Sequence, residues 1–258
     1  GGMVMKADYK NWMPKGMVLG TIGITAAIFF VAVIVGMAST VGKVLLILTV
    51  LFALISLWMY LMYRAFSYNG SRQMSKQIIE GVSSYVKIPD GGKCLDVGCG
   101  SGALSIACAK KNPGAHIIGI DRWGKEYASF SKSLCESNSV AEGVNNTSFQ
   151  QGDACKLDFA DETFDAVTSN YVYHNIPSKD RQAILLETLR TLKKGGTFAI
   201  HDIMSKSKYG DMESFVEKLK NMGYEEVKLV DTTNGMFMSK WESIWMALTG
   251  SAILMGRK

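Results

Sequence analysis

Two long apolar stretches dominate the first quarter of the chain. Gly16–Gly42 contains 27 residues without a charged side chain, and Val44–Tyr63 contains a further 20. A bilayer core of about 30 Å is crossed by about 20 helical residues, so each stretch is long enough to span it. Inside hydrocarbon every backbone polar group must be paired within its own segment, so we expect both stretches to be helical. The pattern predicts a transmembrane hairpin with helices at about residues 16–41 and 44–63.

Two other interpretations of this region are less consistent with the pattern. A signal peptide is shorter, ends at a small-residue cleavage site and is not followed by a second span. Helices that are apolar on all sides are rare in a soluble protein of this size. We therefore favour the membrane hairpin.

The pattern changes after residue 70. Apolar residues recur at helical spacing behind Ser71, and from residue 93 short apolar runs alternate with helical stretches. This alternation predicts a mostly parallel sheet with helices on both faces. The predicted strands are Lys93–Val97, Ile117–Asp121, Ser148–Gln151, Ala166–Ser169, Thr197–Asp202, Glu226–Asp231 and Ala252–Gly256, and the predicted helices are Leu104–Lys110, Glu126–Ser137, Lys179–Leu192 and Met212–Met222. The chain thus divides into an anchor segment, 1–70, and an α/β domain, 71–258.

The basic residues are concentrated around the apolar hairpin. The whole chain has a net charge of +5, of which the first 70 residues carry +4, with five basic residues against Asp8 alone. The remaining 188 residues are nearly neutral and have no basic stripe, which argues against a nucleic-acid partner. By the positive-inside rule, both ends of the hairpin and the α/β domain lie on the cytoplasmic side of a lipid bilayer. The flanking basic residues are Lys6, Lys10 and Lys15 before the hairpin and Arg64, Arg72 and Lys76 after it, with only Lys43 between the spans.

The cysteines do not form a recognisable ligand or disulfide pattern. Five cysteines are spread over the chain without a C-x-x-C spacing or a paired histidine. Zinc sites need such clusters, so we expect no metal. The cysteines are typical of reduced cytosolic thiols.

The strongest chemical signal is the glycine-rich sequence from Asp96 to Gly102. It follows a predicted strand and precedes a predicted helix, where glycines allow close approach to a ligand and the helix start offers free N–H groups. Asp121 ends the next strand, 19 residues beyond Gly102, where an acid can bind ribose hydroxyls. The spacing predicts a nucleoside-containing cofactor. The glycines fit both the dinucleotide pattern G-x-G-x-x-A, typical of dehydrogenases, and an acid followed by G-x-G-x-G.

The ordered set of motifs over residues 71–258 resembles the class I S-adenosylmethionine-dependent methyltransferases. Asp96 through Gly102 matches that family's first motif, and Asp121 matches the acid that ends its second strand. Three later matches follow in order, namely Gly152-Asp153-Ala154, Phe164-Asp165-Ala166-Val167 and Leu192-Lys193-Lys194-Gly195-Gly196. The resemblance implies a Rossmann-like, seven-stranded sheet with helices on both faces, whose last strand is antiparallel, here preceded by the transmembrane hairpin.

The resemblance also implies a set of cofactor-binding residues. In the family the acid at Asp153 binds the adenine amino group, and the acid at Asp96 orients the amino-acid end of the cofactor. Asp96 has an alternative role as a brace of the glycine loop, and Arg122 either shields the adenine or is solvated. The full predicted set for S-adenosylmethionine is Asp96, Gly98, Cys99, Gly100, Gly102, Asp121, Arg122, Asp153, Ala154 and Asn170.

The loop after the fourth predicted strand holds the candidate catalytic residues. Histidine can act as a base near neutral pH, so His174 is the best candidate for a general base, although it could instead support the loop by hydrogen bonding. Tyr171 and Tyr173 either shape an acceptor pocket or pack. His201 and Asp202 end the fifth strand near the same cleft, and we expect a structural pair there.

The sequence therefore predicts a membrane-anchored methyltransferase for a small, hydrophobic or membrane-associated acceptor. One alternative is a methyltransferase for a soluble metabolite, thiol or metalloid. Another is a membrane-tethered protein that binds the cofactor without turnover. A late segment with Trp241 and Trp245 at helical spacing either contacts the bilayer, roofs the pocket or packs on the sheet.

Overall fold

A computed structural model describes residue 2, residues 4–124 and residues 131–258. The chain divides into two compact units. One comprises Lys10–Lys76, and the other comprises Gly1–Tyr9 together with Gln77–Lys258.

The first unit is a helical hairpin. Helix α1 spans Lys15–Val35 and α2 spans Thr40–Phe66. Both are long and apolar enough to cross a membrane by length and composition. Most of their large apolar side chains point outward, an arrangement that suits lipid better than water. Across the pair, the Thr25 and Ser56 hydroxyl oxygens lie 3.4 Å apart.

The turn of the hairpin differs from the sequence prediction. Helix α1 ends at Val35, six residues before the predicted end, because Gly36 adopts φ +100° and breaks the helical path. The Ser39 side chain then accepts a hydrogen bond from the Gly42 N–H and caps α2. Helix α2 continues to Phe66, three residues beyond the prediction, and its last turn carries Arg64.

The second unit is built on a seven-stranded sheet within the described residues. The strand order is β3-β2-β1-β4-β5-β7-β6, and every pairing is parallel except those of β7. The order reverses between β1 and β4, and in open α/β sheets the crevice at such a point holds the ligand. The strands are β1 (Lys93–Val97), β2 (His116–Asp121), β3 (Thr147–Gln151), β4 (Phe164–Asn170), β5 (Leu192–Ile203), β6 (Glu226–Asp231) and β7 (Ser251–Arg257). This architecture confirms the predicted fold class.

Helices pack on the sheet as the apolar periodicity predicts. In α8, for example, the Asp211 side chain caps the first turn, and the buried residues recur at spacings of three and four. The helices that follow the hairpin are α3 (Met74–Ser83), α4 (Ala103–Lys111), α5 (Lys132–Ala141), α6 (Arg181–Arg190), α7 (Lys206–Tyr209), α8 (Met212–Asn221) and α9 (Lys240–Trp245). The helix predicted at Glu126–Ser137 appears as α5, which Ser131 caps, while residues 126–130 lie outside the described part of the chain.

The N-terminal residues depart from the predicted domain boundary. They belong to the α/β unit rather than to the hairpin unit. The Asp8 N–H donates to Asn138 Oδ1 at 2.8 Å, and Asn138 Nδ2 donates to the Asp8 carbonyl at 2.9 Å. The Tyr9 hydroxyl donates to Glu142 at 2.9 Å. The chain therefore passes from this domain into the hairpin and back again.

The late aromatic segment forms only one short helix. In α9 the Trp241 and Ile244 side chains are exposed, whereas Trp245 is half-buried. Phe237 and Met238 precede the helix and are buried. The predicted apolar face is thus divided between the core and the surface.

Candidate active site

The glycine loop after β1 is tied to the end of β2 and is open on one side. The N–H groups of Gly98 and Cys99 both donate to the Ile120 carbonyl, at 2.8 and 2.9 Å. Gly98 and Gly100 have φ of +72° and +55°, which other residues rarely adopt. A side chain at Gly98 would collide with Val172, whereas one at Gly100 would meet no atom of the described residues within 4 Å. The loop therefore has a fixed backbone and open space beside Gly100.

The Asp121 carboxylate is bound to this loop. One oxygen accepts from the Gly100 N–H at 2.8 Å, and the other accepts from the Trp123 N–H at 2.9 Å. A carboxylate has about four acceptor positions, so lone pairs remain for the hydroxyls of a ribose. The Trp123 indole N–H donates to the Gly100 carbonyl at 3.0 Å. Trp123 was not among the predicted site residues, although an aromatic residue two positions after Asp121 was a usable signal for a contact with the glycine loop.

Asp96 lies beneath the loop rather than beside the open space. Its carboxylate is buried and accepts from the Ser105 hydroxyl at 2.6 Å and from the Thr168 hydroxyl at 3.2 Å. Burial raises the pKa of Asp96 to about 7, and these two hydrogen bonds oppose the shift. Asp96 therefore joins β1 to α4 and β4 through these two hydrogen bonds.

The other predicted cofactor residues occupy different environments. Cys99 is buried in an apolar cluster with Cys135 and Phe149, and burial raises the pKa of the Cys99 thiol. Gly102 caps the start of α4 with φ +90°. Arg122 is exposed, which leaves its two sequence-based roles open.

Asp153 and Ala154 follow the end of β3, next to the Asp121 strand. The Gly152 N–H donates to the Asp121 main-chain carbonyl at 3.0 Å, which brings the two strand ends together. Asp153 is exposed and accepts from the Cys155 N–H at 2.9 Å, while Ala154 is buried. The two acids predicted to bind the nucleoside thus lie at neighbouring strand ends.

The two candidate tyrosines do not present free hydroxyls. Tyr171 directly follows β4 with φ +53°, and its hydroxyl lies 2.7 Å from the Ser251 hydroxyl oxygen. Tyr173 is fully buried in the core, where its hydroxyl oxygen lies 2.6 Å from that of Thr188. Burial raises the pKa of both phenols. The placement of Tyr173 favours the packing alternative over a role in an acceptor pocket.

His174 is held by an acid from the next strand. It lies in a short 3-10 helix, Tyr173–Asn175, and its main-chain N–H donates to Asp202 Oδ2 at 2.8 Å. Its ring Nδ1 lies 2.5 Å from Asp202 Oδ1. The His174 side chain is 16% exposed, whereas Asp202 is fully buried at the end of β5. The sequence predicts a pair of His201 with Asp202, whereas in the structure Asp202 contacts the His174 ring.

His201 has a separate, structural environment. Its two ring nitrogens lie 2.7 Å from Asn170 Oδ1 and 2.8 Å from the Thr232 hydroxyl oxygen. Burial lowers the pKa of His201 to about 3, so the ring is neutral at physiological pH. His201 therefore fixes the Asn170 side chain at the carboxyl end of β4. Among the described residues, no cluster of His, Cys, Asp or Glu could hold a metal ion.

Comparison with known proteins identifies the family. A family profile described as a methyltransferase domain matches residues 88–249, more than half of the chain. The chain belongs to this methyltransferase family. The methyltransferase sheet is similar to that of Haemonchus contortus phosphoethanolamine N-methyltransferase 2 in complex with S-adenosyl-L-methionine, with a TM-score of 0.53 and 16% identity. That match covers 75% of this chain and 55% of the other and shows the common fold.

Two curated relatives are similar to part of this methyltransferase. A demethylmenaquinone methyltransferase of Lactobacillus johnsonii is 34% identical over 116 residues, which cover 45% of each chain. An arsenite methyltransferase of Halobacterium salinarum is 27% identical over 180 residues, covering 62% of this chain and 44% of the relative. The chain thus spans less than half the length of these two relatives.

The residues of the glycine loop fit S-adenosylmethionine, the methyl donor of this family. The side of Gly100 is open, so a ligand can approach the backbone there. The half-exposed Asp121 carboxylate retains acceptor positions for a ribose, and the exposed Asp153 lies at the next strand end. This donor set suits a nucleoside, in agreement with the family.

Proposed function

We propose that this chain is a membrane-anchored enzyme that transfers a methyl group from S-adenosylmethionine to a small hydrophobic or membrane-associated acceptor. The observation that carries the proposal is that residues on both sides of the apolar hairpin belong to one methyltransferase unit. A chain that crosses a bilayer twice returns to the side where it started, so this arrangement suits two spans. The excess of Lys and Arg at the outer ends of the hairpin favours the cytoplasmic side for both termini.

The anchor limits how far the catalytic unit can lie from lipid. Helix α2 ends at Phe66 and the methyltransferase unit resumes at Gln77. Because residues 74–76 already lie in α3, the seven residues 67–73 connect the two helices, and they span at most about 25 Å when fully extended. An acceptor dissolved in the bilayer is therefore within reach of the domain, and a lipid-soluble acceptor makes use of the anchor.

The cofactor site is assigned to the glycine loop and the neighbouring strand ends. S-adenosylmethionine supplies an activated methyl group on a sulfonium sulfur. Asp121 binds the ribose hydroxyls, Asp153 binds the adenine amino group, and the backbone at Gly98, Gly100 and Gly102 allows close approach. The remaining members of the predicted set complete the proposed cofactor site. They are Asp96, Cys99, Arg122, Ala154 and Asn170.

A metalloid acceptor, suggested by the name of the arsenite-methylating relative, has less support. Soft metalloids are bound by thiolates, and such a site needs several cysteines together. Cys94, Cys99, Cys108 and Cys135 are buried in the domain, and only Cys155 is exposed. The described residues therefore offer no cluster of accessible thiols.

Methyl transfer by the full-length protein in lipid vesicles tests the proposal. The protein receives S-adenosylmethionine with a labelled methyl group and a series of quinol and phenol acceptors with increasing prenyl chain length. We expect transfer to rise with chain length in vesicles, and Asp121→Ala to weaken cofactor binding measured by calorimetry. Asp161→Ala, a change of an exposed acid, serves as the control. Tight cofactor binding without transfer to any acceptor would instead support the non-catalytic alternative, and equal transfer to water-soluble analogues would contradict the lipid acceptor.

A further inference from the structure

The hydrogen bonds around Asp202 determine how the His174 ring is held. The Asp202 carboxylate accepts from the His174 main chain, from the Ile203 N–H at 2.8 Å and from the Tyr209 hydroxyl at 2.5 Å. The His174 ring nitrogen Nδ1 lies at its fourth acceptor position. Because the other acceptor positions of the carboxylate already receive N–H and O–H donors, Nδ1 is the donor in this contact, and Nε2 is the ring nitrogen that can accept a proton in the neutral ring. Among the described residues Nε2 has no hydrogen-bond partner, so it is available to a proton from outside.

The segment that carries His174 is fixed by Arg181. The guanidinium donates to the main-chain carbonyls of Tyr173, His174 and Ile176 at 3.0–3.2 Å. It also donates to the Lys208 carbonyl at 2.9 Å, in the helix that ends with Tyr209. The Arg181 side chain therefore joins the 3-10 helix to α7, whose Tyr209 hydroxyl also donates to Asp202. Such a framework limits movement of the ring.

The loop that carries His174 packs against the glycine loop. The Val172 side chain occupies the space where a side chain at Gly98 would stand, and Val172 is two residues from His174. Tyr171 lies between the two histidines, with ring centroids 6.2 Å from His174 and 4.7 Å from His201. His174, whose side chain is 16% exposed, thus lies on the loop that adjoins the predicted methyl-donor site.

We propose that Asp202 is a positioning residue that holds His174 as a general base, and that the acceptor therefore presents a hydroxyl group of phenol or enol type. This inference rests on the proposed function. The acceptor oxygen forms a bond to the methyl carbon while the carbon–sulfur bond breaks, with its electron pair left on sulfur. The hydroxyl proton goes to His174 Nε2, and the resulting imidazolium is stabilised by Asp202. A neutral imidazole is well suited to protons of this acidity, whereas a thioether or metalloid acceptor has no proton to remove.

Methyl transfer to phenols of graded acidity tests the base. The full-length protein in vesicles is compared with His174→Gln, and His116→Gln serves as the matched control at a histidine outside this loop. We expect His174→Gln to lower kcat for an ordinary phenol by about 10²-fold or more, with the KM for the cofactor within about twofold. The loss shrinks for more acidic phenols, which need less help to ionise. External imidazole restores part of the rate to His174→Gly.

Nuclear magnetic resonance of the imidazole nitrogens gives a readout independent of turnover. The chain has three histidines, so their signals are assigned by single substitutions. We expect the Nδ1–H tautomer for His174 in the unmodified protein. In Asp202→Asn the amide can also donate to Nδ1, so we expect the Nε2–H tautomer to increase and kcat to fall. Tyr209→Phe, which keeps the ring and loses only one donor to Asp202, gives a smaller change of the same sign.

The outcomes separate this inference from the proposed function. If the unmodified protein transfers methyl groups and His174→Gln retains the rate on all phenols, the base assignment is overturned and the methyltransferase proposal stands. A uniform loss across the phenol series, without rescue by imidazole, also overturns it, because a structural defect has no dependence on acceptor acidity. If the unmodified protein binds the cofactor and methylates nothing, both proposals fail. His174→Gln keeps the main-chain hydrogen bond to Asp202, so it remains informative even where Asp202→Asn lowers stability.

Discussion

The Asn138 side chain binds both main-chain polar groups of Asp8, accepting from its N–H at 2.8 Å and donating to its carbonyl at 2.9 Å. The same amide nitrogen donates to the Ser101 carbonyl in the cofactor loop at 2.9 Å. One buried asparagine thus joins the N-terminal residues, helix α5 and the glycine loop.

Replacing Asn138 tests this link. We expect Asn138→Ala to lower the free energy of unfolding of the α/β unit by about 1–3 kcal/mol, because a buried main-chain group loses its partner. We also expect Asn138→Ala to raise the cofactor Kd several-fold, since Ser101 belongs to the glycine loop to which the cofactor site is assigned. Chemical unfolding in detergent and calorimetry measure the two effects. Asn145→Ala, at an exposed position seven residues away, is the control, and equal behaviour of the two variants would contradict the prediction.

Alanine substitutions at Gly98 and Gly143 distinguish the cost of backbone strain from the cost of overpacking. Their φ values are +72° and +71°, but only Gly98 has a neighbour, Val172, in the way of a side chain. We expect Gly143→Ala to cost about 1–2 kcal/mol from the left-handed conformation alone. Gly98→Ala adds about 1–3 kcal/mol of overpacking. Adding Val172→Ala to Gly98→Ala recovers only the overpacking cost. A Gly98→Ala/Val172→Ala double variant as stable as the parent protein would refute the strain argument.

The buried Asp96 makes stability depend on pH. Its pKa in the folded domain is about 7, above the ordinary value near 4, so between these values the folded state holds a proton that the unfolded state releases. The free energy of unfolding therefore falls as pH rises from 4 to 7 and stays lowered above 7. Asp96→Asn lacks this contribution, and we expect its stability relative to the parent protein to increase by as much as about 4 kcal/mol over that window. Chemical unfolding at a series of pH values measures the difference. Parallel curves for the two proteins would contradict it, and Asp161→Asn is the control.

Substitutions of the exposed residues of α9 test whether this helix contacts lipid. Trp241 and Ile244 are 70% and 56% exposed and lie three positions apart on the helix. If they insert into the bilayer surface, Trp241→Ala with Ile244→Ala raises the KM for a vesicle-borne acceptor by about tenfold and leaves the cofactor Kd unchanged. Met222→Ala, which changes another exposed apolar side chain, provides the comparison. Unchanged turnover in vesicles would exclude this role for α9.

Much of the fold could be predicted because its signals are local. The alternation of apolar runs located six of the seven strands within about two residues of their observed bounds, and β5 began five residues earlier than predicted. That early start occurs because Leu192 pairs with Phe164 before the register shift, a relationship between two strands that neither segment contains alone. Similarly, the early end of α1 depends on how Gly36 and Ser39 form the turn.

The candidate site was predictable in part for the same reason. Gly98, Gly100 and Asp121 lie in motifs whose spacing reflects one strand, one turn and the next strand end. The environment of Tyr173 was not predictable, since a tyrosine in a loop looks the same whether its ring faces a cleft or the core. Asp202 and His174 are 28 residues apart in sequence, and they meet because β4 and β5 are neighbours in the sheet.

By itself the sequence determined the apolar hairpin, the α/β class and the glycine loop with the acid that ends the next strand. Each depends on periodicity or on steric demands within a few consecutive residues. The tertiary structure decided which acid holds His174, that Tyr173 is buried, and that residues 8–9 bind α5. These contacts depend on strand order and packing across the sheet, which bring distant residues together in ways that no local pattern encodes.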